Sequence, residues 1–283
     1  MNLGAEAPES KSNFFLGFLF LSRPKRSALA AIYAYCRAID DIVDSGHLSR
    51  EEAGRMLAFW REEIGRLYAG KPTHSVSERL LPHLERFRLP REAFLEMIRG
   101  CEMDLGPTRF ETFEELEGYM QGVACSVGAL SVAVFGASHT PPERLREFVR
   151  LFGYAFQLTN IIRDVGADLE MGRVYLPASE MRQAGYSLEA LIRREHNAAF
   201  DRLMESLYRR ARGYYQRARN LLDFRDRPAL LPAEIMARIY EGVLEEAKAK
   251  GFRVLFERAT IPAWRKLRLA LAAWLYCHGI HVF

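Results

Sequence analysis

The segment Ser27–Asp44, SALAAIYAYCRAIDDIVD, repeats apolar side chains at three- and four-residue steps. That is the period of an amphipathic helix, not the alternation of a half-buried strand. The same period runs through 51–69, 76–87, 91–103, 113–135, 142–170, 187–222, 233–250 and 263–277. The separators are helix stops and starts: Gly70-Lys71-Pro72, Leu89-Pro90, Gly106-Pro107, Thr140-Pro141-Pro142 and Asp226-Arg227-Pro228. Thr112 with Glu115 three residues on has the form of a capping box. One short piece, 174–176, reads as extended. There is no repeat, low-complexity tract or linker, so the expectation is a single all-α domain over 1–283, with helices long enough to build a site from inward-facing side chains.

Two places break the amphipathic pattern. Asp40 and Asp44 lie four residues apart on an apolar helix, beside Asp41, with Arg37 one turn back and Tyr33 a further turn back. Asn160, Asp164 and Asp168 form a second row at four-residue steps, flanked by Gln157 and Arg163. Acidic rows on helices are most often solvated faces. These two helices are otherwise too apolar to spare a wide wet face, and like charges at i,i+4 repel. Repeated in two helices, that cost points to a cation between them. Oxygen donors without His or Cys select hard ions, and Mg²⁺ suits a site that shares its shell with phosphates. Arg37 and Arg163 then read as phosphate clamps.

The rest of the chain narrows the classes. Forty Lys+Arg against 36 Asp+Glu give a net +4 over 283 residues, interspersed and without a nucleic-acid-binding motif. Cys36, Cys101, Cys125 and Cys277 form no C-x-x-C pair and read as reduced buried thiols. His278 and His281 lack a third metal ligand. The start of the chain does not read as a secretory signal, and the apolar run Phe14 to Leu21 is too short to span a bilayer. The charge is uneven: Lys248 to Arg268 holds seven basic residues and one acid, Glu257. Such a segment suits an anionic lipid surface or diphosphate, and Arg265, Lys266 and Arg268 are its expected lipid contacts.

Tyr33-Ala-Tyr-Cys-Arg37-Ala-Ile-Asp40-Asp41-Ile-Val-Asp44 resembles the first aspartate-rich motif of squalene/phytoene synthases. Gln157-Leu-Thr-Asn160-Ile-Ile-Arg163-Asp164-Val-Gly-Ala-Asp168, followed by Gly172-Arg173-Val-Tyr175-Leu-Pro177, resembles the second. Ser10-Lys-Ser12-Asn-Phe14, Glu102-Met-Asp104-Leu, Arg109-Phe110 and Val123 to Gly128 resemble further family segments. The stretch from Ile239 to Leu267 looks most like bacterial presqualene diphosphate synthases of hopanoid pathways.

The resemblance implies an isoprenoid synthase helical bundle with a central cavity, and head-to-head condensation of two farnesyl diphosphates to presqualene diphosphate. Phytoene, dehydrosqualene or squalene synthesis are the alternatives within the family, and an inactive scaffold of the same fold lies outside enzymes. Asp40, Asp41, Asp44, Asn160, Asp164 and Asp168 would hold Mg²⁺, or Mn²⁺ in its place. Arg37, Gln157, Arg163, Arg173 and Tyr175 would hold diphosphate; Ser12, Phe14 and Tyr33 would meet substrate. Asp40, Asp44, Asp164, Asp168 and Arg37 would carry the catalysis. Tyr240 and Arg258 match less well, their spacing being one residue off. NADPH is not expected for this reaction. The expected setting is cytoplasmic, peripheral to the inner membrane face, with a downstream pathway enzyme as partner. One departure stands out: Gln121 occupies a position where many family members carry a Tyr, and Gln is no general base near neutral pH. The departure favours a product needing only the first half-reaction, with Tyr119 or released diphosphate left to take the proton.

Overall fold

The computed structural model describes residues 20–44, 48–106 and 108–280, all helices and connections. Ser12, Phe14 and His281 lie outside the described residues. The helices are α1 (Arg23–Asp44), α2 (Arg50–Tyr68), α3 (Ser75–Phe87), α4 (Arg91–Glu102), α5 (Phe113–Met120) and α6 (Ser126–Phe135). They continue as α7 (Pro142–Glu170), α8 (Ala178–Ala184), α9 (Leu188–Ile192), α10 (Ala198–Arg219), α11 (Leu231–Ala249) and α12 (Ala263–Cys277). No strand forms among the described residues.

Local chemistry sets most boundaries. Ser49 and Glu52 close a full capping box at the start of α2. Thr112 caps α5 by accepting from Glu115 N at 3.3 Å, but the Glu115 carboxylate turns to Glu111 N at 2.7 Å, so only half the expected box forms. Asn197 accepts from Ala199 and Phe200 and starts α10. That cap divides the single helix expected over 187–222 into α9 and α10. The piece 174–176, expected to be extended, forms no strand; Val174 N donates to Thr108 O at 3.1 Å.

The 113–135 segment is helical throughout, but its middle, Gln121–Cys125, is a π-turn. Glycines explain why neighbours reach it. A Cβ on Gly100 of α4 would stand 2.8 Å from the Gly122 backbone, and one on Gly153 of α7 would stand 2.5 Å from Cys125 Sγ. Two helices therefore touch the widened turn backbone to backbone. By length and composition 113–135 could also cross a membrane. Here it packs against α4 and α7 instead.

Helix α7 is the central rod, packed on α10, α11, α6 and the π-turn. Tyr35 of α1 donates to the Phe94 carbonyl of α4 at 2.8 Å and meets Trp60 and Phe94 edge-on. These contacts hold α1 beside α4 and leave a space between α1, α4, the π-turn, α6, α7 and α11. That space is the cavity described next.

Candidate active site

The cavity has a volume of about 260 Å³. Its walls are apolar: Leu29 and Ile32 of α1, Val123 and Val127, Phe135, and Phe148, Phe152 and Phe156 of α7. The polar side chains gather mainly at one end, where Asp40, Gln157, Asn160, Tyr33 and Tyr240 join the lining; Ser131 of α6 is a polar residue away from it. Along α1, Leu29 to Asp40 spans about 16 Å at the helical rise, so the cavity is a deep apolar slot with a polar mouth.

The mouth lies at two helix C-termini. Asp44 is the last residue of α1 and Asp168 stands in the last turn of α7. Arg173, just past α7, donates to Asp44 Oδ1 at 2.7 Å and to the Val43 carbonyl at 2.9 Å, which joins the two ends. Helix C-termini carry negative partial charge, and neither helix has a basic residue in its last turn. Four carboxylates gathered there oppose the helix dipoles and one another.

The protonation preferences register that opposition. Burial, followed by the charge of Asp44, pushes the Asp40 carboxyl up to about 6. Burial and then Asp164 push Asp168 up to about 7. Burial also raises Asp164, but Arg163 at 2.8 Å and Arg258 at 2.6 Å outweigh it and hold the carboxyl below its ordinary value. Arg163 also meets the Tyr240 hydroxyl. The buried Asn160 Oδ1 has no hydrogen-bond partner.

An orphaned amide oxygen and two carboxylates destabilised as anions form a donor set that a hard cation fits. Among the described residues no three His, Cys, Asp or Glu side chains converge on one point. An ion there would complete its shell with water and substrate phosphate, as Mg²⁺ readily does.

The sequence-predicted residues fall into three groups. Asp40, Asn160, Gln157 and Tyr33 line the cavity. Asp44, Arg163, Asp164, Asp168, Arg173 and Tyr175 surround its mouth, and Arg258 joins them through Asp164. Arg37 and Asp41 pair with each other at 2.8 Å on an exposed side of α1 and do not line the cavity. Gln121 turns outward too, its amide 3.4 Å from Glu96 in a groove behind the π-turn. Gln121 itself therefore supplies no polar group to the cavity lining.

Sequence reasoning gave Asp104 no role. Its carboxylate accepts from Tyr175 at 2.8 Å and Tyr119 at 3.1 Å, while the two rings stack at 5.2 Å. Burial raises the Asp104 carboxyl, although the tyrosines and Arg173 partly offset this. Asp104 thus fixes two buried hydroxyls beside the acidic mouth. Three partners separated by up to 71 residues leave no linear spacing to detect.

Similarity to known proteins agrees with this geometry. The squalene/phytoene synthase family model matches residues 7–265. A 15-cis-phytoene synthase from Synechocystis sp. is 35% identical over 275 residues, covering 93% of this chain and 80% of the relative. A presqualene diphosphate synthase from Zymomonas mobilis is 36% identical over 243 residues, covering 86% and 82%. Among solved structures, a dehydrosqualene synthase in complex with ligand superposes with a TM-score of 0.84 at 26% identity, over 96% of this chain and 95% of that one. A squalene synthase from Alicyclobacillus acidocaldarius gives 0.76 at 27%, over 86% and 91%. The bundle is the isoprenoid synthase fold, and the chain belongs to the squalene/phytoene synthase family of prenyltransferases, which join prenyl diphosphates head to head.

Proposed function

We propose that this chain condenses two farnesyl diphosphates to presqualene diphosphate, releasing one diphosphate and one proton. The observation that carries the reading is the pair of carboxylate rows at two helix C-termini, at the mouth of an apolar slot about one prenyl tail deep. Asp40, Asp44, Asn160, Asp164 and Asp168 would hold Mg²⁺, which neutralises charge developing on the departing diphosphate. Arg163, Arg173 and Arg258 stand where they can exchange carboxylate partners for phosphate oxygens. The apolar walls exclude water, which would otherwise capture the allylic cation formed on ionisation. Aromatic faces of Phe152, Phe156 and Tyr240 line the slot and favour a passing cation. The double bond of the second farnesyl group attacks that cation, and loss of a proton closes the cyclopropane. The product keeps one diphosphate, and the step consumes no reductant.

A second reading is condensation of two geranylgeranyl diphosphates toward phytoene. It is favoured by the 35% identity to a cyanobacterial phytoene synthase. Purified protein supplied with Mg²⁺ and each diphosphate separately, with products identified by mass spectrometry, separates the two. Cyclopropyl diphosphate from farnesyl diphosphate is the expected result. Turnover of geranylgeranyl diphosphate alone would overturn the farnesyl reading.

A further inference from the structure

An open groove of about 710 Å³ runs on the outer side of α6 and α7. Its lining mixes apolar side chains, such as Ala129, Ala133, Ala137 and Leu145, with charged ones, such as Arg146 and Glu147. Two side chains, Val132 of α6 and Val149 of α7, line both this groove and the central cavity. Gly128 explains how Val149 sits so close to α6: a Cβ at that position would stand 3.3 Å from Val149 Cγ1. The separation between the two spaces at this point is therefore one side chain thick from each helix.

We propose that Val132 and Val149 form a partition that limits the length of prenyl tail the cavity admits, and that the groove behind it is an overflow site for the end of a longer tail. The proposal rests on the farnesyl reading above and names two residues that would enforce it. The far end of the slot, away from Asp40 and Asn160, is where a tail must stop or turn. A tail one isoprene unit longer meets the two valines there. Replacing a valine by alanine thins the partition and joins the slot to the groove beside Ala129 and Ala133, which has room for the extra unit. Adding a methyl at Gly128 does the reverse, because Val149 must shift to accommodate it.

The test is the ratio of kcat/KM for geranylgeranyl diphosphate to that for farnesyl diphosphate, measured in wild type, Val132→Ala, Val149→Ala, the double variant, Val149→Ile and Gly128→Ala. The alanine variants should raise the ratio, the double variant by roughly tenfold or more, the range over which a pocket senses a small apolar group. Val149→Ile and Gly128→Ala should lower it. Ratios within twofold of wild type across the soluble variants overturn the partition. Should the alanine variants fail to fold, the isoleucine and Gly128→Ala arms decide: a lower ratio supports the partition, and an unmoved one overturns it. The wild-type ratio tests the farnesyl reading separately. A value above one sinks that reading, whereas the partition is judged only on how the ratio moves between variants.

Discussion

Asp168 lies in the last turn of α7, is half-buried, and faces Asp164, with Asp104 contributing further repulsion. A fold selected for stability alone would not place a carboxylate there. Asp168→Asn removes that repulsion while keeping the shape of the side chain. The expected outcome is a thermal midpoint equal to or above wild type, with turnover down by about a hundredfold or more, the scale of losing one electrostatic group from a preorganised site. Calorimetry and a Mg²⁺-supported product assay check the pair, and a lower midpoint with unchanged turnover would contradict it. Asp226 shows the opposite logic. Its buried carboxylate accepts from the backbone N–H groups of Ser138 (2.9 Å), His139 (3.0 Å) and Thr140 (2.6 Å), and from the Thr140 hydroxyl at 2.7 Å. Burial raises this carboxyl, but those bonds win and lower it to about 2. A group whose folded pKa is depressed stabilises fully above its unfolded value, near 4, and that stability drains away as pH falls toward the folded value. Asp226→Asn should therefore cost about 2–3 kcal/mol at neutral pH and flatten the loss of stability between about pH 5 and pH 2. Denaturant titrations across that range measure both effects.

Between residue and whole chain, the π-turn is packed closely by glycines of two neighbouring helices. Gly153→Ala would press a methyl onto Cys125 Sγ and its backbone, with ideal separations of 2.5 and 2.9 Å. Neither backbone can retreat without moving α7 or the turn, so the expected loss is about 1–3 kcal/mol. Gly118 of α5 has open space around its Cβ position, and Gly118→Ala should be neutral or stabilise by about 0.5–1 kcal/mol. Chemical denaturation of the two variants side by side tests the contrast, and equal effects would mean that the turn is not a packing constraint. The same turn marks where reading the sequence stopped. The apolar period of 113–135 announced a helix, but one extra residue in a turn leaves that period almost unchanged, so the π-turn was invisible in it. The division at Asn197 was legible in principle, since Asn is a strong N-cap, yet the apolar period on both sides concealed it. The short α8, between Pro177 and a left-handed Gly185, carried a start and a stop signal but too few residues for a period. In the site, the four-residue spacing displayed Asp40, Asp44, Asn160, Asp164 and Asp168 directly, because one helix sets each row. Asp104 and the outward turn of Gln121 depend on contacts between helices, which no local spacing encodes.

At the scale of the whole molecule, α12 lies along the outside of α11. Arg265 pairs with Glu246 at 2.8 Å, Leu269 meets the notch at Gly242, and Arg238 covers the Tyr276 ring. Ala270, Ala273 and Cys277 face inward. The opposite face is apolar as well: Trp264 and Leu267 are each 64% exposed and Leu271 is 57% exposed, spaced as one helical stripe. Arg268 stands over the Trp264 ring at 5.7 Å, placing a cation at the edge of that stripe. We propose that this exposed apolar stripe meets a membrane surface. Tryptophan beside a cation suits the headgroup boundary of an anionic bilayer, from which a prenyl substrate can be drawn. The geometry also shifts the expected contacts. Arg265 already serves Glu246 inside the molecule, so the exposed apolar residues and Arg268 should carry most of the binding. In sedimentation with phosphatidylglycerol-containing liposomes, Trp264→Ala combined with Leu267→Ser and Leu271→Ser should abolish most of the bound fraction. Arg268→Gln should weaken binding by roughly fivefold at low salt, consistent with about 1 kcal/mol for one basic residue near such a surface. Retained sedimentation of the triple variant would assign the stripe to a protein contact instead, which the concentration dependence of its mass in solution would then reveal.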